Sequence, residues 1–262
     1  MPEASIHRRQ ILSSLAALPL AAPLAAILAD PRLARAAAEG LETVSLTTAG
    51  GRKVSGVLAK PAETPAAAVL LVHEWWGLND QIKAVTAEFA KEGFLALAVD
   101  LYDGGVAQSP DEADALMKQV QEEAATDTLA SWLDWLGGHE LSNGRLGTVG
   151  WCFGGGWSLA AALARPVDAT VVYYGRVNRS ADELGKLKGP VLGHFATRDK
   201  FINPEMVGGF EAAMQEAGKS YEVNWYVADH AFANPSGGRY DEEDAALAWA
   251  RTLTFLNAEL KG

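Results

Sequence analysis

The chain has 262 residues, 49% of them hydrophobic, with 22 Lys+Arg against 33 Asp+Glu and a formal net charge of −11. That length buries a sizeable core in one domain or at most two, and the composition is too apolar for a disordered chain. Net acidity argues against nucleic acid or an anionic membrane as partner, and a single cysteine excludes an internal disulfide or a thiolate-rich zinc site.

Residues 1–38 differ in kind from the rest. His7-Arg8-Arg9-Gln10-Ile11-Leu12 sets paired arginines ahead of a charge-free stretch over 11–29. Ala34-Arg35-Ala36 and Ala36-Ala37-Ala38 then offer small-x-small cleavage sequences. The pattern reads as a twin-arginine secretion signal, with the export machinery as its partner and a periplasmic or secreted destination. Pro19, Pro23 and many alanines make the stretch a poor spanning helix, which counts against an uncleaved anchor. Removing 1–38 takes away four arginines and two acids, moving the net charge from −11 to −13. The organisation expected is a leader, 1–38, and one domain, 39–262, acting as a monomer.

Strands are expected at 44–46 and 53–59 around the turn Ala49-Gly50-Gly51, then at 67–73, a continuous apolar run suited to a strand covered on both faces. Asp80 can cap a helix through Glu92 that Gly93 stops. A strand at 94–99 follows, then helices from Pro110 toward Gln121 and over 126–136. Strands at 146–150, 169–174, 191–195 and 221–226 alternate with helices at 155–164, 204–217 and 242–260. Such alternation predicts an α/β fold with a mostly parallel sheet, helices on both faces, and chemistry at the carboxyl ends of the strands.

Gly150-Trp151-Cys152-Phe153-Gly154 follows one of those strands and opens a helix, in the form G-x-nucleophile-x-G. The flanking glycines suit a turn too sharp for a Cβ, which exposes Cys152 above a helix N-terminus. A nucleophilic cysteine needs a base and a group to orient it, in the chain order nucleophile, acid, histidine. Asp199, after the 191–195 strand, and His230, after the 221–226 strand, stand where that order places them. His194 lies inside a strand and reads as a core residue. His73, beside Glu74, could serve as a supporting donor or a metal ligand, but no metal spacing accompanies it. Glu74 itself leads off a buried strand in the loop that supplies part of an oxyanion hole, where a carboxylate is costly unless it has a task.

These segments resemble the dienelactone hydrolase family, carboxymethylenebutenolidase-like α/β-hydrolases. The resemblance rests on His73-Glu74-Trp75-Trp76-Gly77-Leu78-Asn79, Asp100-Leu101-Tyr102, Gly150-Trp151-Cys152-Phe153-Gly154-Gly155, Tyr173-Tyr174-Gly175, Asp199 and His230-Ala231-Phe232. It implies a Cys152–His230–Asp199 triad, with an acyl-cysteine formed from an ester or lactone, without cofactor or metal. It also implies a resting thiol turned away from the histidine and hydrogen-bonded to Glu74, with the N–H groups of Trp75 and Phe153 as the oxyanion hole. Trp76, Tyr102, Trp151, Phe232 and Asn234 are the expected substrate contacts. The family's two carboxylate-binding arginines have no counterpart: Asn234 stands at one position and only Lys118 lies near the other. Arg239 is near enough in sequence to substitute. The loss of that clamp suggests neutral substrates. The alternative from another class is a non-catalytic, exported binding protein of the same fold.

Overall fold

The computed structural model describes residues 30–262; Arg8, Arg9 and the apolar stretch to Ala29 lie outside them. Strand β3 (Ala66–Val72) shows why the sheet is mostly parallel. All seven of its residues are buried. Ala67, Val69 and Leu71 face one hydrophobic cluster, while Ala68, Leu70 and Val72 face a second. A strand apolar on both faces has to be covered from both sides. It pairs in parallel with β4 (Leu95–Val99) and β5 (Ser142–Trp151), and parallel pairing continues through β6 (Ala169–Tyr173), β7 (Val191–Ala196) and β8 (Tyr221–Tyr226). The hairpin β1 (Glu42–Thr47) and β2 (Lys53–Ala59) joins antiparallel to β4. The resulting order is β1-β2-β4-β3-β5-β6-β7-β8.

One face is covered by α1 (Pro31–Ala38), α2 (Asp80–Lys91) and α8 (Glu242–Lys261), which bury Ala34, Phe89 and Leu256. The other is covered by α4 (Glu122–Gly137), α5 (Phe153–Ala164) and α7 (Pro204–Glu216), through Trp132, Leu159 and Phe210. Shorter helices α3 (Pro110–Gln119) and α6 (Ala181–Leu184) sit in connections. Both small-residue cleavage sequences fall on α1, which packs against α2.

Three of the boundaries that differ from expectation have a clear local cause. Asn79 rather than Asp80 caps α2, accepting the Ile82 N–H at 3.1 Å, and Asp80 sits in the first turn where its charge favours the helix dipole. Helix α4 starts at Glu122, ahead of its apolar pattern. Strand β5 starts at Ser142 because pairing with Ala66 satisfies backbone groups that the polar Ser142–Arg145 stretch does not advertise.

The β5–α5 junction fixes the site. Cys152 has φ 54° and ψ −118°, a conformation that L side chains rarely adopt. A Cβ at Gly150 would overlap the Gly154 carbonyl, and a Cβ at Gly154 would overlap the carbonyl of Val72. Neither obstacle is a flexible side chain, so Gly154→Ala is expected to lower stability by at least ~3 kcal/mol. Urea unfolding midpoints test this; a wild-type midpoint for Gly154→Ala would contradict the account.

Candidate active site

Loops after β3, β5, β6, β7 and β8 converge at the carboxyl end of the sheet. His230 brings Nε2 to 3.1 Å from Cys152 Sγ and Nδ1 to 2.6 Å from Asp199 Oδ2. The other oxygen of Asp199 accepts the N–H groups of Phe201 and Ile202 at 2.8 and 3.0 Å. Burial works to raise the Asp199 pKa, but the His230 hydrogen bond and those two N–H donors outweigh it, holding the carboxyl below its ordinary range. An ionised Asp199 selects the tautomer with Nδ1–H toward the carboxylate, which leaves Nε2 an acceptor facing the sulfur.

Cys152 is partly buried. Burial, and then the Glu74 carboxylate, push its thiol pKa up to about 12 against the pull of two backbone N–H groups, those of Phe153 and Trp75. Those are the two donors expected of an oxyanion hole. Phe153 supplies its own from the first turn of α5, and Trp75 supplies its own from the loop after β3.

Glu74 is buried, and neutral groups hold both its oxygens. The Tyr174 hydroxyl donates to Oε1 at 3.2 Å, and the Asn234 amide donates to Oε2. Asn234 is itself oriented, since its Oδ1 accepts from the Ser236 N–H at 3.0 Å and hydroxyl at 2.6 Å. Among the described residues the thiol makes no hydrogen bond to Glu74 of the kind the resemblance implies; the sulfur lies against His230 Nε2. Burial raises the Glu74 pKa, only partly offset by Asn234, His230, Tyr174 and the more distant Arg239. Cys152, Tyr174 and Ala231 all have positive φ, at 54°, 36° and 65°. Such conformations cost on the order of 1–3 kcal/mol each and persist where surrounding packing imposes them.

A cavity of about 830 Å³ opens over the sulfur. Trp76 and Asn234 line it as expected, together with Trp75 and Phe153. Three expected substrate contacts lie elsewhere. Trp151 is buried and stacks on Tyr173 in the neighbouring strand, because it points below the turn that lifts Cys152. Phe232 is wholly buried between Tyr174 and Tyr226. Tyr102 packs on His73 and Phe153, its hydroxyl buried without a partner, and borders a separate depression beside Arg52 and Asp103. Lys118 is drawn to Asp114 at 2.6 Å and does not reach the cavity.

His73 and His194 are structural. His73 Nδ1 lies 2.6 Å from the Glu74 carbonyl and its Nε2 accepts the Leu101 N–H at 3.2 Å, tying the β3 loop to the β4 loop. His194 is buried between the Tyr226 and Thr252 hydroxyls. Among the described residues no His/Cys/Asp/Glu group is placed to hold a metal.

Sequence reasoning missed Trp157, Phe201, Arg176 and Arg179, all on the cavity wall. Trp157 was legible as the residue one helical turn after Phe153, on the same face. Arg176 and Arg179 follow the strand-end Tyr173-Tyr174-Gly175 segment directly.

A model of the dienelactone hydrolase family matches residues 54–260. Protein usf of Aquifex pyrophilus is 32% identical over 221 residues, covering 80% of this chain and 95% of its own. Carboxymethylenebutenolidase 1 of Cupriavidus pinatubonensis is 26% identical over 223 residues, covering 81% and 95%. A crystal structure from Klebsiella pneumoniae assigned as a dienelactone hydrolase aligns with TM-score 0.73 at 26% identity, over 83% of this chain and 98% of that one. Fold, sheet order and matched residues thus agree on an α/β-hydrolase, and the chain belongs to the dienelactone hydrolase family.

Proposed function

We propose that the protein hydrolyses an ester or lactone, with Cys152 as nucleophile, His230 as general base and acid, and Asp199 as the carboxylate that orients the imidazole. The supporting observation is the hydrogen-bonded series from Cys152 Sγ through His230 to Asp199, opening on a cavity. The name of the Cupriavidus relative, a carboxymethylenebutenolidase, points to the same bond class.

As Sγ attacks the carbonyl carbon, His230 Nε2 takes the thiol proton. The carbonyl oxygen becomes an oxyanion held by the N–H groups of Phe153 and Trp75. Collapse breaks the carbon–oxygen bond, and His230 returns its proton to the departing oxygen, leaving an acyl-cysteine. Water, deprotonated by His230, then attacks the thioester, and the released sulfur recovers the proton. In the empty site, burial and Glu74 keep the thiol protonated, which limits oxidation of a lone cysteine.

The same reading makes the protein an exported enzyme. Its support is the Arg8-Arg9 pair ahead of the uncharged stretch over 11–29. Replacing both arginines by lysine is expected to hold the protein in the cytoplasm. Unchanged recovery from the periplasmic fraction would contradict the leader.

Cys152→Ala is expected to cut kcat for 4-nitrophenyl acetate by at least ~10³-fold while the fold is kept; activity within tenfold of wild type would remove the cysteine from the mechanism. Iodoacetamide alkylation of the wild-type thiol should keep rising toward pH 12, the value to which burial and Glu74 push it. Glu74→Gln removes the second of those causes, so the thiolate forms more easily and the alkylation midpoint moves to lower pH. A midpoint that does not move would make Glu74 structural only.

A further inference from the structure

Asn234 is buried in the loop after β8, with one end of its amide toward Glu74 and the other toward Ser236 of the same loop. Which end faces which is fixed by a donor that cannot reverse. The Ser236 backbone N–H can only donate, and it lies 3.0 Å from Asn234 Oδ1. The Ser236 hydroxyl points at the same oxygen from 2.6 Å. That hydroxyl also stands 3.2 Å from Gln81 Oε1 on α2, but its single proton goes to the nearer acceptor. With both donors on Oδ1, the NH2 group of Asn234 is left to face Glu74 Oε2. Asn234-Pro235-Ser236 suits such an Asx turn, in which a side-chain oxygen accepts the N–H two residues on.

The orientation matters because an amide donates at one end and accepts at the other. Toward Glu74 it offers only N–H, which favours a carboxylate over a carboxylic acid. Turned over, it would offer Oδ1, an acceptor for the O–H of a protonated Glu74. Glu74 and Cys152 are both buried, and the Glu74 charge works against a charge on the sulfur. Wherever this pair holds one proton, either the sulfur keeps it and Glu74 is charged, or Glu74 takes it and the sulfur is charged. Tyr174 from the β6 loop and Asn234 are the neutral donors on the carboxylate, while His230 and Arg239 favour its charge through space. Facing the sulfur are His230 Nε2 and, farther off, Asp199.

We propose that Ser236 is a positioning residue of the active site: by holding the Asn234 amide with its NH2 group toward Glu74, it keeps the negative charge of the empty site on the carboxylate and the proton on Cys152. This deepens the reading of Cys152 as nucleophile and rests on it for the use of the thiol in the reaction. Ser236 is exposed and is not on the cavity wall, so it acts through Asn234 alone. When the hold is loosened the amide turns, the proton passes from Cys152 Sγ to Glu74, and the charge passes from Glu74 to the sulfur.

The test reads the rate at which iodoacetamide alkylates Cys152 at about pH 8, which needs no turnover. Ser236→Ala removes one of the two donors on Oδ1 and is expected to react about threefold faster than wild type. Ser236→Thr keeps a hydroxyl and should stay within ~1.5-fold of wild type. Asn234→Leu removes the amide and should be faster still, by about tenfold or more. In a Glu74→Gln background there is no carboxylate left to orient against, so adding Ser236→Ala should change the rate by less than ~1.5-fold. A residue that only braced the loop would give the same change in both backgrounds. A wild-type rate in Ser236→Ala, a threonine variant as fast as the alanine one, an Asn234→Leu rate below that of Ser236→Ala, or an equal rise with and without Glu74 would overturn the proposal. Ester hydrolysis that survives in Cys152→Ala would sink the cysteine mechanism instead, and would leave the alkylation pattern standing.

Discussion

Backbone contact at the β5–α5 turn is the constraint on which the rest of the molecule depends. Gly150 and Gly154 leave no room for a Cβ because each lies against a carbonyl, that of Gly154 and that of Val72 in turn. Pressed that close to the end of β3, the chain can only continue by holding Cys152 at positive φ. The first turn of α5 then points the Phe153 N–H at the sulfur, and the β3 loop brings the Trp75 N–H to the same place. Packing of the two cores on either side of the sheet stores the energy that keeps this turn from relaxing.

A second constraint is the buried carboxylate of Glu74. Removing a charge from water without a cationic partner is expensive, and the structure answers with hydrogen bonds from an amide and a phenol. Hydrogen bonds satisfy the oxygens, yet they bring no positive charge, so the carboxyl pKa stays raised by burial. The thiol nearby is pushed up in turn, and the His230–Asp199 pair supplies the base that such a thiol requires.

Much of this was legible in the sequence because the signals are local. The unbroken apolar run of β3 and the glycines around Cys152 reflect constraints within a few residues, and Asp199 and His230 each come shortly after a strand. What was not legible depended on which way neighbours point. Trp151 adjoins Cys152 in sequence, but adjacent residues at a strand end face opposite sides, and its ring went to Tyr173. Phe232 follows His230 by two residues and still turns inward, between Tyr174 and Tyr226. Arg176 and Phe201 reach the cavity through loop conformations, and no periodicity encodes those. The polar start of β5 is held by its ladder with β3, a partner distant in sequence.

The central claim is that Cys152 carries the acyl group. Intact-protein mass spectrometry on a sample quenched in acid during turnover of a slowly deacylating aryl ester tests it directly. The account expects an adduct of one acyl mass, mapped to the Cys152 peptide, that forms and decays with turnover and is missing from Cys152→Ala. Steady hydrolysis with no acyl adduct at any time, or an adduct on another residue with activity preserved in Cys152→Ala, would contradict it.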